Sequence, residues 1–337
     1  MRIGFFELEG WEKSAIENQL AGSELFLTGD KITELEIPEK RDFEVISVFV
    51  NSRISAKVLD AFPNLKYIVT RSTGYDHIDL AECKKRDISV SFVPGYGDNT
   101  VAEFTFGLLD NLTRKIYSGI DKIKETGSFN LAGLRGTDLA GKTLGVIGAG
   151  RIGKKIIKIS KGFEMNVIAS DPFPDEKASA ELGFEYVSFE NLLKQSDVIT
   201  FHCLYTPQTH HLINKNNINL IKPGAYLVNT ARGGLIETEA LVSALNQGIL
   251  AGAALDVLEE EGETKDELAY LTSGHPKEEE LRTLLLNHEL IRMPNVLITP
   301  HNAFNSQEAL QRILSTSMDS IASFIKGAVI NSVPELK

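Results

Sequence analysis

The run Gly148-Ala149-Gly150-Arg151-Ile152-Gly153 carries the most specific chemistry in this chain, because of what flanks it. It follows the apolar run Thr143-Leu144-Gly145-Val146-Ile147 and opens a helical pattern through Ile156, Ile157 and Ile159. A second apolar run, Asn166-Val167-Ile168-Ala169, ends at Ser170-Asp171. Strand, glycine turn, helix, strand and terminal acid make one βαβ unit of the kind that binds a dinucleotide. Gly148 permits the tight turn, Gly150 lets the backbone approach a pyrophosphate with no Cβ in the way, and Gly153 lets the helix lie close to the sheet. The helix N-terminus offers N–H groups to the anion. Asp171 at the second strand end bonds both ribose hydroxyls and repels a 2′-phosphate, which favours NAD over NADP.

Three further segments place polar groups where apolar strands end. Asn229-Thr230-Ala231-Arg232-Gly233-Gly234, after Ala225–Val228, presents the Arg232 guanidinium, which can grip a carboxylate through two parallel hydrogen bonds. Ala254-Leu255-Asp256-Val257-Leu258-Glu259-Glu260-Glu261 puts acids after a strand, and Leu297-Ile298-Thr299-Pro300-His301-Asn302 puts a histidine there. Singly, each has a bland reading: a surface arginine in a turn, a solvated acidic run, a structural histidine. Together, beside a nicotinamide, they supply what reduction of a 2-keto acid requires. These are a carboxylate clamp, a cation near the carbonyl oxygen and a proton donor, with a glutamate favouring the charged imidazole.

The elements that position these groups alternate. In the first hundred residues, Ile3–Phe6, Phe43–Val50, Leu65–Thr70 and Ile88–Val93 read as strands, with helices at Ala56–Phe62 and Leu80–Lys85. That pattern predicts a small flavodoxin-like parallel α/β domain. A single long helix is expected from Thr100 to about Lys124, and later strands at Val198–Phe201, Ala225–Val228, Ala251–Leu255 and Val296–Thr299. In an open α/β sheet, ligands bind beyond the carboxyl ends of the strands, where the polar segments lie. A final helix over Ser306–Lys326 carries Ala309, Ile313, Met318, Ile321 and Ile325 on its apolar side. The expected fold is α/β with a Rossmann doubly wound sheet, residues 100–303, inserted into a discontinuous substrate domain, residues 1–99 and 304–337. From Gly262 to about Met293 a long, partly helical excursion is expected.

Length and charge bound the reading. The 337 residues suit two domains, and 42% hydrophobic with 24% charged residues suits a globular protein with sizeable cores. A formal net charge of -11 argues against nucleic acid or an anionic membrane as partner, so an anionic substrate must be drawn by a local cation. The opening Met1-Arg2-Ile3-Gly4-Phe5-Phe6 meets Glu7 and Glu9 at once and has no signal-peptide h-region. Cys83 and Cys203, far apart, are expected as buried thiols in a reducing cytoplasm. His202-Cys203 and His210-His211 match no zinc spacing, so no metal is expected. His77 reads as a turn residue and Trp11 as a packed or half-buried anchor.

Over nearly its whole length the chain resembles the D-isomer-specific 2-hydroxyacid dehydrogenases. The matching motifs include Ser72-Thr73-Gly74-Tyr75-Asp76-His77-Ile78-Asp79, Val101-Ala102-Glu103, the glycine fingerprint, Asn229 to Gly234, Leu255-Asp256-Val257 and Thr299-Pro300-His301. The resemblance implies that Arg232 binds and polarises the substrate, that His301 is the acid/base, and that Glu261 supports it. It implies Asp256 on the nicotinamide carboxamide and Arg151 and Ile152 on the pyrophosphate. Cys203, Leu204, Thr230 and Ala231 would line the cofactor cleft. Backbone N–H groups around Thr73 and Gly74, with the Tyr96 hydroxyl, would meet the substrate carboxylate, and a homodimer built on the cofactor domain and the 100–124 helix is implied.

The lactate branch is the most similar, through the excursion after Glu261 and the segment Gly127-Ser128-Phe129-Asn130-Leu131-Ala132-Gly133-Leu134. Two departures bear on the substrate alone. Glu7-Leu8-Glu9 stands where many lactate enzymes carry an arginine, and Asn305 follows Phe304 where many carry an aromatic. Pyruvate/D-lactate is the leading pair, with glyoxylate or hydroxypyruvate reduction, or phosphite oxidation, as rival chemistry. Formate oxidation is disfavoured by Glu261, where that branch resembles a glutamine. An NAD-sensing module without turnover is the rival from another class.

Overall fold

The computed structural model describes residues 1–261 and 277–334, and it divides the chain into two compact units, 1–96 with 306–337 and 97–305. The first unit is a parallel sheet of five strands: β1 (Arg2–Phe5), β2 (Glu24–Leu27), β3 (Val45–Val48), β4 (Tyr67–Thr70) and β5 (Ser89–Ser91). Their order is β2-β1-β3-β4-β5, the flavodoxin-like arrangement. Both faces are covered, as a parallel sheet requires. Phe6, Phe43, Ile46 and Phe62 lie in one core, and Ile3, Val45, Tyr67 and Val69 lie in the other with Leu314, Met318 and Ile321. The helices here are α1 (Lys13–Gln19), α2 (Ala56–Asp60) and α3 (Leu80–Lys85). The Ser55 hydroxyl and the Asp79 carboxylate cap α2 and α3. Neither α1 nor β2 has a counterpart in the sequence reading. β2 is a four-residue edge strand with no fully buried residue, so its pattern is weak.

The second unit holds a seven-stranded parallel sheet in the order β12-β11-β10-β9-β6-β7-β8. Its strands are β6 (Thr143–Ile147), β7 (Asn166–Ser170), β8 (Glu185–Tyr186), β9 (Val198–Phe201), β10 (Ala225–Asn229), β11 (Leu250–Leu255) and β12 (Val296–Ile298). This is the doubly wound Rossmann order, with the chain reversing direction across the sheet between β6 and β9. The helices in the first part of this unit are α4 (Asp98–Arg114), α5 (Ile116–Thr126), α6 (Arg151–Gly162), α7 (Glu176–Leu182) and α8 (Phe189–Gln195). α9 (Thr238–Asn246) and α10 (Glu278–Arg292) follow, and α11 (Gln307–Ile325) belongs to the first unit. The sheet is sandwiched between two clusters, one with Phe201, Leu227 and Leu255, the other with Val146, Ile157 and Val228.

The structure corrects four expectations. The long helix is two helices, broken at Lys115, whose backbone is left-handed with φ 53°. The Asn111 side chain accepts from Tyr117 N at 2.8 Å and so stabilises the break. Ile325 is 42% exposed, and Leu314 takes its place in the core face of α11. Trp11 is exposed, its indole donating to the Glu9 carboxylate at 2.9 Å. Cys83 is buried, but Cys203 is only half-buried. Of the excursion after Glu261, residues 262–276 lie outside the described residues, and α10 supplies its helical part. Among the described residues, no helix is long and apolar enough to cross a membrane.

Candidate active site

The glycine turn is built for close approach. Gly148 has φ +90°, and a Cβ there would fall 2.6 Å from the backbone N of Cys203 at the end of β9. A Cβ on Gly153 would fall 2.1 Å from Gly148 O, so the first turn of α6 rests directly on the strand end. Gly150 differs: a Cβ there would meet no atom within 4 Å, which leaves the turn open on the ligand side. No side chain caps α6 and no acid lies in its first turn, so its N-terminal dipole and N–H groups suit an anion. Asp171, at the end of β7, accepts from Ala149 N at 2.9 Å and from Phe173 N at 2.8 Å. Each oxygen keeps a second lone pair for a ribose hydroxyl. These residues fit the adenosine and pyrophosphate of a dinucleotide. The Arg151 guanidinium is paired with Asp98 through Nε at 2.8 Å, so the contribution expected of Arg151 to a pyrophosphate falls to its backbone N–H or its terminal nitrogens.

Beyond β10, β11 and β12, three neighbouring strands, stand the other polar groups. At the end of β10 the buried Asn229 shapes the following turn: its Oδ1 accepts from Ala231 N at 3.0 Å and its Nδ2 donates to Arg232 O at 2.9 Å. Arg232 is half-buried, with Nη1 donating to Ala231 O at 2.8 Å. Thr230 is bonded through its hydroxyl to Thr105 of α4 at 2.9 Å. After β11 comes Asp256, fully buried. Its Oδ1 accepts from Thr299 Oγ1 at 2.5 Å and Asn302 N at 2.8 Å, and its Oδ2 accepts from Ala303 N at 2.8 Å. Burial pushes the Asp256 carboxyl up, against the pull of these donors and of His301. Asp256 therefore braces the loop that carries the histidine, a task its spacing from His301 in sequence does not reveal.

His301 Nδ1 lies 3.2 Å from both Glu261 oxygens. The two side chains are 24% and 22% exposed, shielded yet reachable. His301 and Glu260 both have left-handed backbones, φ 53° and 50°, an uncommon conformation for non-glycine residues that clusters at functional sites. Burial pushes His202 down to about 3 and Cys203 up to about 11, so both are neutral near pH 7. Leu204 is 76% exposed beside them.

The first unit presents its own strand-end loops. Thr73 donates through its hydroxyl to Val93 O at 2.8 Å, and Ser72 Oγ donates to Gly74 O at 2.6 Å. His77 Nε2 is bonded to Thr70 Oγ1 at 3.1 Å, as a turn residue would be. Tyr96 O accepts from Arg312 Nε at 2.8 Å.

A doubly wound dinucleotide fingerprint, with an arginine, a glutamate and a histidine on the segments after three neighbouring strands, is an arrangement that a nicotinamide-dependent dehydrogenase requires. The NAD-binding domain of the D-isomer-specific 2-hydroxyacid dehydrogenases matches residues 106–303. A 2-hydroxyacid dehydrogenase homolog of Zymomonas mobilis is 36% identical over 96% of both chains. A glyoxylate reductase of Thermofilum pendens is 38% identical over 85% of this chain and 80% of its own. The structure of a D-lactate dehydrogenase from Aquifex aeolicus complexed with NAD and lactic acid superposes with a TM-score of 0.85, at 36% identity and 96% coverage of both chains. The chain belongs to the D-isomer-specific 2-hydroxyacid dehydrogenase family, and its cofactor is NAD.

Proposed function

We propose that this enzyme interconverts pyruvate and D-lactate, and that Arg232, Glu261 and His301 carry the reaction. Bound NAD would supply the hydride acceptor for the hydroxy acid and, in its reduced form, the hydride donor for the keto acid. The Arg232 fork holds the substrate carboxylate and leans on the carbonyl oxygen. With Nδ1 engaged by Glu261, Nε2 is the atom of His301 that gives its proton to the developing alkoxide. In the reverse direction neutral His301 takes that proton back. We assign the backbone N–H groups of Thr73 and Gly74 and the Tyr96 hydroxyl to the carboxylate. Cys203, Leu204, Thr230 and Ala231 are assigned to the nicotinamide side, with Asp256 acting there through the loop it braces, and Gly148, Gly150, Arg151, Ile152, Gly153 and Asp171 to the rest of the cofactor.

The single observation behind this reading is the Glu261–His301 pair, which joins the segments after β11 and β12, on the same side of β10, the strand that leads into Arg232. A binding module without turnover has no need of it. Likeness to the Aquifex aeolicus enzyme favours pyruvate; likeness to the Thermofilum pendens reductase favours glyoxylate as the second reading. A homodimer is proposed on α5, which has no buried residue and exposes Ile116, Tyr117, Ile120 and Ile123. Two free thiols fit the cytoplasm. NADH oxidation measured over glyoxylate, hydroxypyruvate, pyruvate, 2-ketobutyrate and phenylpyruvate tests the reading. The highest kcat/KM is expected with pyruvate; a preference for glyoxylate removes the lactate assignment, and silence over the whole panel removes the enzyme.

A further inference from the structure

One cluster of titratable groups beside these residues has no part in the reaction as derived: His211 and Glu259. Glu259 belongs to an acidic run that sequence alone treats as a solvated face, yet its side chain is only 13% exposed. Its Oε2 accepts from Thr238 N at 3.1 Å and from Thr238 Oγ1 at 2.7 Å, at the start of α9. Its Oε1 is bonded to His211 Nε2. Its backbone oxygen accepts from Asn287 Nδ2 of α10 at 2.8 Å. Both the side chain and the main chain of Glu259 are thus fixed, two residues before Glu261.

His211 reaches the other way. Its backbone N–H donates to Gly234 O at 2.8 Å, in the turn that carries Arg232. A Cβ on Gly233 would fall 1.9 Å from the carbonyl carbon of Leu258, so that turn and the glutamate segment run backbone against backbone. The His210 ring stacks on His211 at 3.8 Å, and His210 Nδ1 is bonded to the Tyr205 hydroxyl at 3.0 Å. His211 has φ 50°, so the bridge is itself a strained residue, as are Glu260 and His301.

We propose that His211 and Glu259 are positioning residues that lock the Arg232 turn and the Glu261 segment into one register, so that Glu261 meets His301 while Arg232 holds the substrate. The proposal rests on the roles assigned to Arg232, Glu261 and His301. The need is geometric: misplacing a catalytic group by about 1 Å can cost on the order of 10²-fold in rate. Glu259 acts through Glu261 and therefore on kcat. His211 touches both segments and therefore acts on kcat and on the KM of the keto acid.

The test compares Glu259→Gln, His211→Gln, Glu261→Gln and the Glu259→Gln/Glu261→Gln double variant, using pyruvate or the keto acid the panel prefers. NADH affinity is followed by fluorescence titration. Glu259→Gln is expected to lower kcat by roughly tenfold or more, with the KM of the keto acid and NADH affinity within about twofold. His211→Gln is expected to lower kcat and raise that KM, again with NADH affinity held. In the Glu261→Gln background, Glu259→Gln should cost less than about threefold, because residues acting through one another are not additive. Losses that multiply, or a fall in NADH affinity matching the fall in kcat/KM, overturn the positioning role, as does wild-type activity in both single variants. If Glu259→Gln does not fold, His211→Gln carries the same test through its kcat and KM. A Glu261→Gln enzyme with wild-type activity would instead overturn the assigned acid/base pair, which separates the two failures.

Discussion

Each unit contains an arginine at the carboxyl end of its sheet, and the two are held in opposite ways. Arg71, after β4, is 2% exposed and turned inward. Its Nη2 donates to Phe6 O at 2.7 Å and Glu7 O at 2.8 Å, its Nη1 to Ser47 Oγ at 3.2 Å, and its Nε lies 3.7 Å from Glu12. Glu7 in turn accepts from Phe49 N, Asn51 N and Ser52 N, each at 3.0 Å, so the loops after β1, β3 and β4 are stitched together. Desolvation pulls Arg71 down and pushes Glu12 up, the mark of a charge pair taken out of water. Arg232, after β10, is half-buried, and its turn is shaped by Asn229. A buried cation whose donors are taken by main-chain carbonyls fixes a scaffold. A half-exposed one held by a shaped turn can serve a ligand.

The sharpest way to break this contrast is to remove each charge and ask which property fails. Arg71→Met leaves Glu12 buried without its partner and two carbonyls without a donor. Loss of one member of a buried pair costs about 3–5 kcal/mol, so the urea midpoint should fall steeply. An unchanged midpoint would mean that Arg71 is no structural clamp. Arg232→Lys should do the reverse. Its unfolding midpoint should stay near wild type while kcat/KM falls on the order of 10²-fold, because an ammonium cannot hold a carboxylate in two parallel bonds. Near-wild-type kinetics would remove Arg232 from the site.

A smaller effect is expected at Asp171. Asp171→Ala deletes a charged acceptor for the ribose and the repulsion toward a 2′-phosphate. NAD affinity should fall about tenfold, and the preference over NADP should shrink by a similar factor. Undiminished discrimination between the two cofactors would dissociate Asp171 from the ribose.

The contrast also shows what was readable in advance. β6, the glycine turn and β7 were legible because turn, helix and acid lie in one continuous stretch, where local rules suffice. The Arg232, Glu261 and His301 segments were legible because each follows an apolar run, and the structure sets the three strands side by side. Arg71 was not legible. Its partners Phe6, Glu7 and Glu12 are about sixty residues away, and an internal arginine looks like a surface one until the loops meet. Asp256 and Glu259 were half-legible: their places were, but their bonds to Thr299, Ala303, Thr238 and His211 join segments distant in sequence. The break at Lys115 interrupts an apolar periodicity that continues on both sides, so no pattern marks it.

The two units also carry one thiol each, and these give the mildest test. Cys83, with no exposed surface in the first unit, is pushed up to about 12 by burial; Cys203, half-buried in the second, is pushed up to about 11. Only the thiolate is alkylated, and a thiol of pKa about 11 is roughly 10⁻³ ionised at pH 8, near a hundredfold less than one at its ordinary value. Iodoacetamide should therefore leave the native enzyme active at pH 8, and labelling should rise about tenfold per pH unit above it. Cys203 should react first, because it is both less shielded and less strongly raised. Its backbone N faces the Gly148 turn, so saturating NAD should slow its labelling and leave that of Cys83 untouched. Rapid labelling of either thiol at pH 8 would show that its environment is wetter than the structure has it. Protection of Cys83 by NAD would assign the cofactor to the wrong unit.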